Sequence, residues 1–134
     1  CQHLMLASLE LVRRMAAGRK EDLVTREDST FGRVARYIDR HYAEDLSIEQ
    51  LARQFYLSPY HLSHIFRQKT GYSLKQYVLR RRIGEAQMRL VNAQDSVQTI
   101  SEAVGFADAS YFSRIFSKYV GLTPTEYRKF RIGP

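Results

Sequence analysis

Apolar residues along this chain recur at helical spacing in short bursts, each bounded by a polar cap. Leu4, Met5, Leu9, Leu11, Val12, Met15 and Ala16 share one broad stripe, with Glu10, Arg13 and Arg14 opposite. The stretch AAGRKEDLVTREDS loses that period and reads as a linker. A helix is expected from about Thr30 to Tyr42, with Phe31, Val34, Ala35 and Ile38 inward. Ser47, with Gln50 three residues on, has capping-box spacing and opens the two-turn helix IEQLARQF. Ser58-Pro59 opens the next, with proline at the first helical position, and Gly71 should stop it. Ser73 and Gln76 begin a long helix reaching about Asn92. VQTISEAV makes a short one ended by Gly105. Asp108 caps a helix that Gly121 closes, and Thr123-Pro124-x-Glu126 starts the last. Strand-type alternation is nowhere sustained, so the expected fold class is all-α.

Two of these helices are the same helix twice. YHLSHIFRQKTG at 60–71 matches SYFSRIFSKYVG at 110–121 through Ser63/Ser113, Ile65/Ile115, Phe66/Phe116 and Gly71/Gly121, and Tyr77 matches Tyr127. The short helices before them align with an offset of 49 rather than 50, so the second turn holds one extra residue. A short helix joined through a tight turn to a longer one is the helix-turn-helix unit, whose second helix enters the DNA major groove. Leu62, Ile65, Phe66 and the Lys69 stem are expected inward. Tyr60, Ser63, His64, Arg67 and Gln68 form one outward stripe, answered by Ser110, Ser113, Arg114, Ser117 and Lys118. Inward residues repeat because both copies build the same core; outward ones differ as two reading heads would. The intervening helix, about 30 Å long, nearly matches one turn of B-DNA at about 34 Å. Arg80, Arg81 and Arg82 point to every side of one of its turns, so at least one is expected to face phosphates, the others being solvated or paired with Glu85.

Composition sharpens this picture. The 134-residue chain carries a net charge of +7. Arg13, Arg14, Arg19, Lys20 and Arg26 balance Glu10, Glu21, Asp22, Glu27 and Asp28, so the whole excess lies beyond residue 28. That is the footprint of a polyanion-binding module. Cys1 is the single cysteine, which excludes an intrachain disulfide, and no apolar run approaches membrane-spanning length. The chain opens on Cys rather than Met and is expected to be a fragment of something longer.

The run LSIEQLARQFYLSPYHLSHIFRQKTGYSLKQYVLRRRIGEAQMRL and the signature ISEAVGFADASYFSRIFSKYVGLTPTEYR resemble the DNA-binding domain of the AraC/XylS family of bacterial transcription regulators, over about residues 31–131. The resemblance implies two helix-turn-helix subdomains of homeodomain-like type joined by a long linker helix, preceded here by an N-terminal helix. The domain would span 29–134, with its first helix-turn-helix at about 47–71, the linker helix at about 73–92 and the second at about 97–121. Residues 1–28 would be the edge of an upstream sensing or dimerising part. The implied partner is double-stranded DNA at a promoter or operator. RNA polymerase and a second copy of the chain, met through the upstream part, would join it in the bacterial cytoplasm, commonly for activation. No cofactor, metal or membrane is implied. Carried onto matching positions, base contacts fall to Tyr60, Ser63, His64 and Gln68, then to Ala109, Ser110, Ser113 and Arg114. Phosphate contacts fall to Arg67, Lys75, Arg81, Arg82, Ser117, Lys118 and Thr123. Two residues depart from the family pattern. Tyr56 stands where the first turn usually has glycine, and Ser101 replaces a small alanine, its hydroxyl within reach of the Val97 carbonyl.

Enzymatic readings find little. His61 and His64 lack a cysteine or carboxylate to complete a metal set, no nucleophile motif or phosphate-cradling loop is present, and His41 fits a helix-dipole partner. The competing class is a basic helical module binding an acidic protein, which the charge would fit but which leaves the duplication unexplained. Any one outward polar residue, taken singly, reads as a solvated surface; the repeat argues for the set.

Overall fold

The computed structural model describes residues 28–132, which form seven helices and no strand. They are α1 (28–41), α2 (Ile48–Gln54), α3 (Pro59–Thr70), α4 (Leu74–Asn92), α5 (Val97–Ala103), α6 (Ala109–Val120) and α7 (Pro124–Ile132). The expected helix over residues 2–17 and most of its linker lie outside the described residues. Helix starts follow the caps. Ser47, Ser58, Ser73 and Ser96 each accept a backbone N–H three residues on, and Asp108 accepts from the Ser110 N–H at 2.8 Å. Full capping boxes close at Ser73/Gln76 and Thr123/Glu126, whereas at Ser47/Gln50 only the serine half is made. Helices α3 and α6 end on Gly71 and Gly121, both left-handed C-caps, as the sequence predicts.

The helices enclose two cores. Val34, Ile38, Leu51, Ala52, Leu62, Phe66, Leu74 and Val78 form the first. Leu79, Ile83, Ala86, Leu90, Ile100, Val104, Phe106, Phe112 and Phe116 form the second. The duplicated aromatics meet in the same way in both: Phe66 and Tyr77 edge to face at 5.2 Å, Phe116 and Tyr127 at 5.5 Å. Helix α4 serves both cores, its first residues the one and its later residues the other. Its C-terminal carbonyls are held by Arg128, whose Nε donates to Leu90 O at 2.9 Å and Nη2 to Ala93 O at 3.1 Å. The Lys69 side chain is largely covered, and its ammonium pairs with Asp28 at the start of α1.

Both turns use one backbone device. The Leu57 N–H donates to Ala52 O at 2.8 Å, and the Phe106 N–H donates to Ser101 O at 2.9 Å. Four residues separate α2 from α3 and five separate α5 from α6, so the extra residue lies where the alignment requires it. Ser101 is fully buried, and its hydroxyl donates to Gln98 O at 2.8 Å rather than to Val97. A helical hydroxyl reaches either carbonyl, and here the nearer in sequence wins. The equivalent residues Tyr56 and Gly105 both adopt left-handed backbone, at φ 59° and 104°. Gly105 has no choice: a Cβ there would lie 2.7 Å from the Ala43 carbonyl oxygen. Tyr56 has 93% of its surface exposed, so nothing around it repays the strain.

The two turns therefore respond oppositely to substitution. Left-handed backbone costs a non-glycine residue about 1–2 kcal/mol, partly offset by the entropy glycine adds to the unfolded chain. Tyr56→Gly should raise stability by about 0.5–1 kcal/mol, whereas Gly105→Ala should lower it by about 2 kcal/mol or more, since strain and overpacking add. Urea melts of the two variants beside the parent chain check both signs.

Candidate nucleic-acid interface

Helix α3 presents its outward stripe as expected. Tyr60, Ser63, His64, Arg67 and Gln68 are exposed, while Leu62, Ile65 and Phe66 are buried beneath them. Tyr60 and His64, one turn apart, stack with rings 6.3 Å apart and 10° from parallel, which stiffens two side chains that otherwise project freely. On α6, Ser110, Arg114 and Lys118 are exposed. Ala109, Ser113 and Ser117 are half-buried and offer small flush surfaces between them. The Arg114 guanidinium lies 5.7 Å from the Tyr111 ring centroid.

Neither helix carries an aspartate or glutamate. Acids ordinarily favour a helix's first turn, where they meet the positive end of its dipole. Their absence from the first turns of α3 and α4 leaves those ends available to an anion, whereas the start of α6 already carries the Asp108 carboxylate on the Ser110 N–H. Among the described residues, Arg67, Lys75, Arg114 and Lys118 have no carboxylate partner.

The arginines of α4 do not share that freedom: Arg81 and Arg82, expected at phosphates, both have partners within the fold. Arg81 donates from Nε to Asp39 at 2.6 Å, faces Glu85 at 3.4 Å, and lies 4.5 Å from the Tyr42 ring centroid. Arg82 donates to three backbone carbonyls, of Tyr42 at 2.6 Å, Glu44 at 2.7 Å and Gly105 at 3.0 Å. Its burial lowers its basicity, the cost of desolvating a cation that carbonyl dipoles then satisfy. Arg80 is exposed but lies over the Tyr72 and Tyr119 rings, at 4.2 and 4.8 Å. Thr123 is also encumbered. Its N–H donates to Glu126 and its hydroxyl accepts from the Glu126 N–H, which holds that carboxyl below its usual range. At the equivalent N-terminus of α4 the box partner is the neutral Gln76, and Lys75 stands beside it.

A further basic face was not anticipated. Arg33, Arg36 and Arg40 recur at helical spacing along α1, all exposed, around the stacked pair Tyr37 and His41. The spacing 33, 36, 40 was the available signal. His41 itself meets the Glu44 carboxylate just past the end of α1.

Two short helices, each followed by an identically bonded turn and a longer helix and hung on one shared helix, define a tandem helix-turn-helix domain. A family described as a helix-turn-helix domain matches residues 51–129. The HTH-type transcriptional regulator YijO of Escherichia coli is 33% identical over 126 residues, 94% of this chain and 44% of that protein. The arabinose operon regulatory protein of Salmonella typhimurium is 38% identical over 119 residues, 88% of this chain and 42% of that one. Among solved structures, the DNA-binding domain of the global transcriptional factor AdpA, in complex with a target DNA, superposes with a TM-score of 0.69. It is 27% identical and covers 72% of this chain and 87% of that one. The chain belongs to the AraC-type family of helix-turn-helix domains, which bind specific DNA sequences and regulate transcription. It spans less than half the length of the curated relatives it matches.

The division between free and committed cations is testable. Lys75→Ala and Lys118→Ala should each reduce the dependence of log affinity on log salt by about 0.9, leaving stability within about 0.5 kcal/mol of the parent. Arg81→Ala should do the reverse, lowering the urea midpoint while the salt slope stays put. Duplex binding at several salt concentrations beside urea melts separates the two classes.

Proposed function

We propose that the domain reads double-stranded DNA by placing α3 and α6 in successive major grooves on one face of the duplex, and so regulates transcription at a promoter. The observation that carries this reading is the pair of acid-free helices, alike in buried residues and different in exposed ones, at the two ends of a helix about 28 Å long. Adjacent major grooves on one face repeat at about 34 Å, a span such a rod suits. Tyr60, Ser63, His64 and Gln68 read one segment; Ala109, Ser110, Ser113 and Arg114 read the other. Arg67, Lys75, Ser117 and Lys118 hold flanking phosphates, with the α4 N-terminus favoured over that of α7 because Glu126 opposes an anion at Thr123.

On this reading residues 29–134 are the DNA-binding domain and 1–28 the edge of an upstream part that senses or dimerises. The chain acts by binding rather than catalysis, in the bacterial cytoplasm, as an activator that contacts RNA polymerase. No helix of the described residues is long and apolar enough to cross a membrane.

Arg114 is the outward side chain best shaped for bidentate pairing with guanine, worth about 1–3 kcal/mol of discrimination. Arg114→Ala should flatten sequence preference at one or two positions while leaving the rest of the selected site intact. Selection from randomised duplexes with parent and variant reads this directly. An equal loss on every sequence would make Arg114 a phosphate contact. A salt slope near zero for the parent chain would remove the DNA reading, and equal binding to polyglutamate would replace DNA with an acidic protein as the partner.

A further inference from the structure

The two cores divide between adjacent residues of α4: Val78 is buried in the first and Leu79 in the second. Among the described residues, Tyr42 alone packs against both. Apolar contact therefore does little to fix one unit against the other, and each could rock on its own end of the rod. Three consecutive arginines stand at that division.

Arg82 ties the units through their backbones. Two of its donors reach Tyr42 O and Glu44 O, in the α1–α2 connection of the first unit; the third reaches Gly105 O, in the turn of the second. Those same segments touch, since a Cβ on Gly105 would lie 2.7 Å from the Ala43 oxygen. Arg80 bridges the units again, its guanidinium against Tyr72, just past α3, and against Tyr119 of α6. The guanidinium is planar with its donors in fixed directions, so three carbonyls held by one group cannot turn relative to one another.

We propose that Arg82, supported by Arg80, is a positioning residue that sets the distance and rotation between the two recognition helices, and thereby the half-site spacing the domain accepts. This rests on the reading of α3 and α6 as two DNA-reading helices. Arg82 touches no base in this scheme. It acts by making the two helices one rigid template, so that a duplex of wrong spacing loses one of them. Lysine at this position keeps the charge and most of the stem but is a point donor that cannot span the three carbonyls.

The test takes the best duplex selected by the parent chain from a randomised library, a version with one base pair inserted between the two protected segments, and duplexes carrying either segment alone. One inserted pair displaces the segments by about 3.4 Å and about 35°. The parent should bind the inserted duplex at least about tenfold more weakly, because linked modules lose avidity when geometry forbids joint engagement. Arg82→Lys should bind single segments as the parent does, bind the selected duplex less tightly, and lose less than about threefold on insertion. An unchanged insertion penalty in a folded Arg82→Lys chain overturns the proposal. Tyr119→Leu, which removes half of the Arg80 sandwich without touching Arg82, should relax spacing in the same direction, and serves should Arg82→Lys fail to fold.

A DNA-free measurement keeps the proposal separate from the DNA reading. Spin labels at Lys69→Cys and Lys118→Cys, in a Cys1→Ser background, should give one narrow distance in the parent and a broadened distribution with Arg82→Lys. Equal widths, or a broad parent distribution, sink the joint even if both proteins bind DNA. A narrow parent distribution that broadens, with no binding of the unlabelled parent chain to any duplex, leaves the joint standing and removes the DNA reading instead.

Discussion

Val78 and Leu79 are neighbours in the chain and yet are buried in different cores, and most of the architecture follows from that division of α4. A unit of about fifty residues has too little interior to be comfortable alone. Sharing one helix lets each borrow a wall it could not otherwise build. The helix must then run unbroken between the cores, which makes its ends matter. A complete capping box starts it, and Arg128, from the last helix, satisfies the carbonyls where it stops. The middle, where burial passes from one core to the other, is where the arginines gather.

The cations of the domain fall into two populations with different physics. Arg80 lies over two rings at the surface, while Arg81 and Arg82 are half-buried against carboxylates and carbonyls, where desolvation is offset by fixed partners. Arg67, Lys75, Arg114 and Lys118 stand on or beside the outward helices with no carboxylate facing them among the described residues. Net charge counts both alike. A polyanion meets only the second.

The duplication is faithful where residues are buried and loose where they are not. Phe66 with Tyr77 and Phe116 with Tyr127 pack alike, because the same helices must meet at the same angle. Tyr56 and Gly105 diverge because one turn faces solvent and the other lies against Ala43. Gln76 and Glu126 diverge in charge, which makes the two equivalent helix starts unequal hosts for an anion.

Local chemistry was legible in the sequence. Caps, glycine stops and apolar spacing depend on residues within four or five positions of one another, and they located α2 to α7, the repeat, the extra residue in the second turn and the outward stripe of α3. The left-handed strain at Tyr56 was also foreseeable, since the equivalent position is a glycine. Of the partners of α4's arginines only Glu85, one turn on from Arg81, was legible. Arg82 meets carbonyls about forty residues before it and twenty-three after it, and a backbone carbonyl looks the same at every position of a sequence. Three arginines in a row therefore read as a surface for phosphates, and only the folding of two units onto one helix gave Arg82 carbonyls from both units and Arg80 a ring from each.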